Sequence, residues 1–172
     1  MVAIKTIFCF ITAVTAAAIY QHTPATILTN IATIDTNVNA LTKTVASYEG
    51  GFIQLLAVDN AESTLESSIK NAGTDAANTS QLSPADSNNI LNAINDLIPD
   101  IQQALDALKA KKTTFANAGV APTVEGDLAN LKKETDTFGK NLLAISSSDV
   151  EPKLSVALST IDNDFTNAEA GF

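Results

Sequence analysis

Arginine is missing from this chain of 172 residues, tryptophan is missing too, and cysteine, histidine and methionine occur once each. Without arginine there is no forked donor for phosphates or base edges. The 19 acidic residues outweigh 10 lysines for a net charge of −9, and an acidic surface repels polyanions. Nucleic acid is therefore excluded as a partner. A single cysteine, Cys9, can close no disulfide within the chain, so the fold must hold by packing alone. A single histidine, His22, forms no metal-binding pair, and no acidic spacing resembles a calcium loop. With no positioned Cys or His, the usual nucleophile–base pairs cannot be assembled. The expectation is a protein with no enzymatic activity, metal or cofactor. Asp162 with Asp164, and Glu125 with Asp127, stand two residues apart on helices and point different ways; they read as a solvated acidic face.

The long apolar run of a membrane span is also lacking. Met1 to Lys5 is a short start with one positive charge, Thr6 to Val14 is apolar, and Ala16-Ala17-Ala18 offers the small-x-small pattern of a cleavage site. The run is too short to remain in a bilayer as a helix, which takes about 20 residues. Residues 1–18 are accordingly read as a secretory signal peptide and 19–172 as the exported domain. Cys9 and Lys5 would leave with the leader. Asp162 to Phe172 has no hydrophobic tail of the kind a lipid anchor needs, so the reading is a released extracellular product.

What is present is helical periodicity, five times over. The first stripe runs from about Pro24 to Tyr48 through Ile27, Leu28, Ile31, Ile34, Val38, Leu41 and Val45, and ends at Gly50-Gly51. The second runs from about Phe52 to Ala72 with Leu55, Val58, Leu65 and Ile69 inward and Gly73 as a stop. The polar stretch from Gly73 to Leu82 reads as a loop, and within it Asn78-Thr79-Ser80 is an N-glycosylation sequon. Ser83-Pro84 with Asp86 opens the third segment. It carries Ile90, Leu91, Ile94, Leu97, Ile98, Ile101, Leu105, Leu108 and Phe115 as far as Gly119. Pro99 lies inside it, so the segment is one long kinked helix or two helices. The fourth runs from about Thr123 to Ile145 with Val124, Leu128, Leu131, Thr135, Phe138 and Leu142 in line. The fifth runs from about Val150 to Ala168 with Leu154, Ala157, Leu158, Ile161 and Phe165 inward. No stretch alternates with period two. The fold class is all-α: a single up-and-down bundle of about five amphipathic helices around an apolar core or tunnel.

Three polar or flexible positions interrupt these stripes. Thr135 either bonds back to the carbonyl four residues earlier or is a polar handle inside a cavity. Glu62, at the edge of the second stripe, reads as a boundary residue with its head in water. Gly139, mid-helix, costs about 1 kcal/mol relative to Ala; it either permits a close helix approach or leaves room for a ligand.

Three local patterns carry a resemblance. Tyr48-Glu49-Gly50-Gly51 closes the first helix, Lys111-Lys112-Thr113-Thr114-Phe115 precedes Gly119 by four residues, and Leu128-x-x-Leu131-x-x-x-Thr135-x-x-Phe138 runs along the fourth helix. In order and spacing the chain, from about Ile27 to Phe165, resembles the hydrophobic surface-binding protein A family, which includes fungal cell-wall galactomannoproteins. The resemblance implies a secreted helical bundle with one of two activities: enclosing fatty acids such as palmitate or arachidonate in a central tunnel, or adsorbing to hydrophobic surfaces and recruiting secreted hydrolases. The chain departs from wall-anchored members of that family in showing neither a second domain nor an anchor signal. A tunnel would be lined by Ile31, Ile34, Val38 and Leu41 of the first helix and Leu55, Leu65 and Ile69 of the second. The third would add Ile94, Leu97, Ile101 and Leu105, and the fourth Leu131, Thr135, Phe138 and Leu142. Leu158, Ile161 and Phe165 of the fifth would complete it. A carrier needs a closed apolar cavity of about 300 Å³ or more; a surface coat needs an exposed apolar patch.

Overall fold

The computed structural model describes residues 22–172. The leader assigned to 1–18, with Cys9, lies outside them. Five helices account for most of the described chain: α1 (Pro24–Ala46), α2 (Phe52–Ala77), α3 (Pro84–Asn117), α4 (Ala121–Ile145) and α5 (Glu151–Gly171). Local chemistry sets their starts. Thr23 and Thr26 form a reciprocal capping box on α1, and the Ser83 hydroxyl accepts the Asp86 N–H at 3.1 Å on α3. A proline stands in the first turn of α1, α3, α4 and α5, where its missing N–H has no partner to lose. Gly50 (φ 100°) and Gly119 (φ 74°) take the left-handed turns that follow α1 and α3, a conformation that other residues adopt at a cost.

α3 is one helix through Pro99. Pro99 and Asn95, whose carbonyl loses its usual donor, both lie on the exposed side, so water replaces the lost hydrogen bond.

The helices form a ring in the order α1–α2–α4–α5–α3 and back to α1, with only slight contact across it between α3 and α4. Chain direction still alternates up and down, but consecutive helices are not always ring neighbours. The link between α2 and α3 crosses the end of α4. There Leu82 N–H donates to the Ile145 carbonyl at 2.8 Å, the Gln81 amide donates to Ser146 O at 2.6 Å, and Ser147 N–H donates to the fully buried Ser87 hydroxyl at 2.9 Å. The opposite end is plugged by aromatic rings: Tyr48 stacks on Phe115 with centroids 4.8 Å apart, and Phe172 tilts against Phe115. Tyr48 is fully buried and its hydroxyl has no hydrogen-bond partner among the described residues.

Two expectations about α2 are corrected. Gly73 does not end the helix, which continues to Ala77. Gly73 is buried against the Phe138 backbone, and its carbonyl accepts from the Asn141 amide at 2.9 Å; the missing side chain serves the α2–α4 approach. Asn78 therefore caps α2 rather than sitting within a loop, with its side-chain nitrogen donating to the Thr74 carbonyl at 2.8 Å. His22 is anchored to α2 as well. Its Nδ1 lies 3.1 Å from Asp75 Oδ1, and Asp75 accepts a second bond from Asn30.

Candidate functional site: an apolar cavity on the bundle axis

Five helices in a ring leave an axis that their side chains must fill. They fill it incompletely. A cavity of about 50 Å³ remains, room for a few waters by the measure that gives one water ~10–15 Å³. α1 contributes Ile34, Val38 and Leu41; α2 contributes Leu65 and Ile69. α3 adds Ile94, Leu97, Ile101 and Leu105, together with Ala104 and Leu108, which were not among the expected lining residues. Leu108 continues the α3 stripe in phase; Ala104 left no signal, because a small residue on a helix reads as neutral. Leu131, Thr135 and Phe138 of α4 and Leu158, Ile161 and Phe165 of α5 close the ring. Thr135 is the one residue of this lining with a polar side chain.

Three candidate positions lie elsewhere. Ile31 faces a groove on the α1–α3 seam with Asp35, Asp96 and Asp100. Leu55 faces a groove on the α2–α4 seam near the aromatic end. Leu142 is fully buried in the packed end beyond the cavity. Each is on the inward stripe of its helix, but a stripe runs the length of the bundle and the cavity occupies only its middle.

The cavity is far below the ~300 Å³ of a small-molecule pocket. Its neighbour changes that comparison. A groove of about 270 Å³ runs along the α4–α5 seam, between Thr135, Asp136, Gly139, Lys140 and Leu143 on one side and Ser155, Leu158, Ser159, Ile161 and Asp162 on the other. Thr135, Leu158 and Ile161 line both spaces, so only side chains separate them. Gly139 makes a close approach possible here: a Cβ at 139 would lie 3.0 Å from Leu158 Cδ2. Lys132 clasps the seam by bonding Asp162 of α5 and, at 3.1 Å, Asp136 of its own helix. Its hydrogen bond to Asp162 holds the ammonium above the usual lysine range. The Thr135 hydroxyl has no hydrogen-bond partner among the described residues, whereas Thr137 beside it bonds back to the Lys133 carbonyl at 2.9 Å.

The α2–α4 seam carries the opposite electrostatics. Glu62 is only 8% exposed, not a boundary residue with its head in water. Burial, then the carboxylates of Asp127, Glu66 and Asp59, push its pKa up from 4.5 to about 7. Asp127 is raised as well, first by burial and then by Asp59 and Glu66. Glu62 shares the inward face of α2 with the buried Val58 and Leu65 and is carried inward with it. On the α1–α3 seam, Asp35 is raised by its hydrogen bond with Asp100, and the Asn39 amide donates to both.

Past the α2–α4 groove, apolar surface is open to solvent. Phe52 is 77% exposed, Ile53 76% and Leu56 48%, beside a groove of about 230 Å³ formed with Leu55, Val58, Val120 and Val124. No helix among the described residues is long and apolar enough to cross a membrane.

Comparison with known proteins places this geometry among relatives. Residues 24–144 match the family described as hydrophobic surface binding protein A. Cell wall mannoprotein 1 of Aspergillus fumigatus is 32% identical over 132 residues, which is 74% of this chain. The chain spans about 45% of the length of that relative. The crystal structure of AfMp4p in complex with palmitic acid is similar at a TM-score of 0.84 and 38% identity, covering 86% of this chain and 98% of that one. Ligand binding domain 1 of the Penicillium marneffei MP1 protein, complexed with arachidonic acids, shares the fold at a TM-score of 0.80 with 13% identity, over 86% of this chain and 97% of that one.

Proposed function

Since the chain belongs to the hydrophobic surface binding protein A family, we propose that it is an extracellular, non-enzymatic carrier or scavenger of long-chain fatty acids, which it holds along the axis of its helical ring. The observation that carries this reading is the cavity itself: apolar side chains from all five helices, one unpartnered hydroxyl, and no buried charge in the lining. The 38% identical relative bound to palmitic acid supports it, and the cell-wall relative supports a place outside the cell. Such a wall recognises length and apolarity rather than a particular head group. Burying a 16-carbon chain is worth about 12 kcal/mol at ~0.8 kcal/mol per methylene. Association returns at least ~4 kcal/mol, which leaves at most about 8 kcal/mol, or micromolar affinity at best.

Calorimetric titration of the delipidated protein with palmitate and arachidonate tests the proposal. Saturable one-to-one binding tighter than about 100 μM is expected. Heat changes that do not saturate, together with avid adsorption to hydrophobic beads, would sink it. The exposed Phe52, Ile53 and Leu56 favour a second reading in that event: adsorption to hydrophobic surfaces through the aromatic end of the bundle, with recruitment of secreted hydrolases to the coated surface. Replacing Phe52 and Ile53 with Ser should then abolish bead adsorption without lowering the urea denaturation midpoint, because both side chains are exposed.

A further inference from the structure

The axial cavity is lined by side chains from all five helices, and a ligand that enters through this wall crosses one of the seams between helices. Those seams differ. The groove on the α2–α4 seam shares no residue with the cavity, the α1–α3 groove shares only Leu97, and the α3–α5 groove only Leu105. The α4–α5 groove shares Thr135, Leu158 and Ile161. It also lies on the most sparsely packed joint of the ring. Gly139 presents no side chain there, and the half-buried Leu158 lies across the notch this leaves. A rotamer change at Leu158 is a small motion, and it would merge groove and cavity. The merged space would be about 320 Å³, the groove part of it open to solvent, which is near the ~300 Å³ at the lower end of small-molecule pockets.

Charge separates the seams in the same sense. On the α2–α4 and α1–α3 grooves the charged residues are Asp59 and Asp127, and Asp35, Asp96 and Asp100; a fatty-acid carboxylate would be repelled from both. On the α3–α5 groove, Lys109 is taken by Asp106 at 2.7 Å, leaving Asp164. On the α4–α5 groove, Lys132 engages both aspartates, while Lys140 pairs with no carboxylate among the described residues. The Thr135 hydroxyl lines the same groove, at the partition with the cavity.

We propose that a long-chain fatty acid enters the axial cavity through the α4–α5 seam, past Leu158 over Gly139, and leaves its carboxylate in the groove against Lys140 and Thr135. The proposal rests on the fatty-acid reading and adds to it a door and a polar end. The tail lies on the axis and the head stays near solvent, so no charge needs to be buried.

A covalent lock tests the door. Leu158 Cγ, whose place a cysteine sulfur would take, is 3.6 Å from a Cβ at position 139, so the two positions face each other and a small rotamer adjustment brings the sulfurs to bonding geometry. In a Cys9→Ser background, Gly139→Cys with Leu158→Cys provides one protein that can be compared oxidised and reduced. Uptake of a fluorescent polyene fatty acid should be at least about tenfold slower in the oxidised form and recover on reduction, as for a gated site. Equal uptake in the two forms would overturn the door. Lys140→Gln tests the polar end independently. It should weaken palmitate binding about fivefold, the worth of a partly exposed ion pair, and leave hexadecanol unchanged; equal effects on acid and alcohol would overturn the head-group placement. Failure of the unsubstituted protein to bind palmitate at all would instead overturn the fatty-acid reading, and the door with it.

Discussion

Glu62 makes stability depend on pH in a direction unusual for a carboxylate. In the unfolded chain it ionises near 4.5, whereas between α2 and α4 its pKa is about 7. Between those values the folded protein holds a proton that the unfolded chain has released. Stability is therefore fully present below pH 4.5 and lost as pH rises through 7. At ~1.4 kcal/mol per pH unit the ceiling is about 3 kcal/mol, and water reaching the exposed edge of the group brings the expected loss to about 2–3 kcal/mol. Asp127 is displaced in the same direction and adds to the slope. Glu62→Gln keeps the shape and removes the titration. Urea denaturation at half-unit steps from pH 4.5 to 8, in a His22→Asn background so that the single imidazole contributes nothing, measures both curves. The two proteins should agree at pH 4.5. At pH 8 the glutamine variant should be more stable by about 2–3 kcal/mol, with a weak residual slope from Asp127. A parent curve that is flat over this range, or a glutamine variant that falls in parallel with it, would refute the assignment of a buried, unpaired carboxylate.

Thr135→Val, which keeps shape and removes the unpartnered hydroxyl, should weaken palmitate binding severalfold, as for loss of one hydrogen bond worth about 1 kcal/mol, without lowering the urea midpoint. Leu142→Ala should cost about 2–5 kcal/mol, and Leu131→Ala less, because Leu131 already borders empty space and has fewer contacts to lose; equal losses would mean the cavity is filled in solution. Tyr48→Phe removes a buried hydroxyl that has no partner among the described residues and should be neutral or stabilising by about 1 kcal/mol, whereas a clear loss in denaturation would reveal a partner. Asn78 should carry a glycan in a eukaryotic secreting host, and intact mass before and after deglycosylation reads this out; a bare Asn78 would mean that its bond to the Thr74 carbonyl persists during processing.

How much of this was legible beforehand follows from which interactions leave a periodic trace. The α1 stripe from Ile27 to Val45 and the α3 stripe from Ile90 to Phe115 repeat every three or four residues, because one face of a helix must leave water. That repetition was enough for five helices and for most of the cavity lining. Gly73 misled because glycine more often ends a helix than packs inside one. Whether it does so depends on the Phe138 backbone, 65 residues away in the chain. Glu62 misled for a related reason: one residue at the edge of a stripe is buried or exposed according to how closely the facing helix approaches.

The sequence by itself determined that this protein is helical, that its core is aliphatic, and that arginine-based recognition and disulfide closure within the chain are not available to it. These depend on composition and on contacts within one turn of helix, both written locally. Only the tertiary structure decided the ring order α1–α2–α4–α5–α3, and with it every functional distinction between the seams. Periodicity states which face of a helix turns inward but not which helix it meets. The pairing of Gly139 with Leu158, the crowding of Glu62 toward Asp127 and the groove that Lys140 shares with α5 all arise between residues distant in the chain. Their energies exist only once the backbone has brought those helices together.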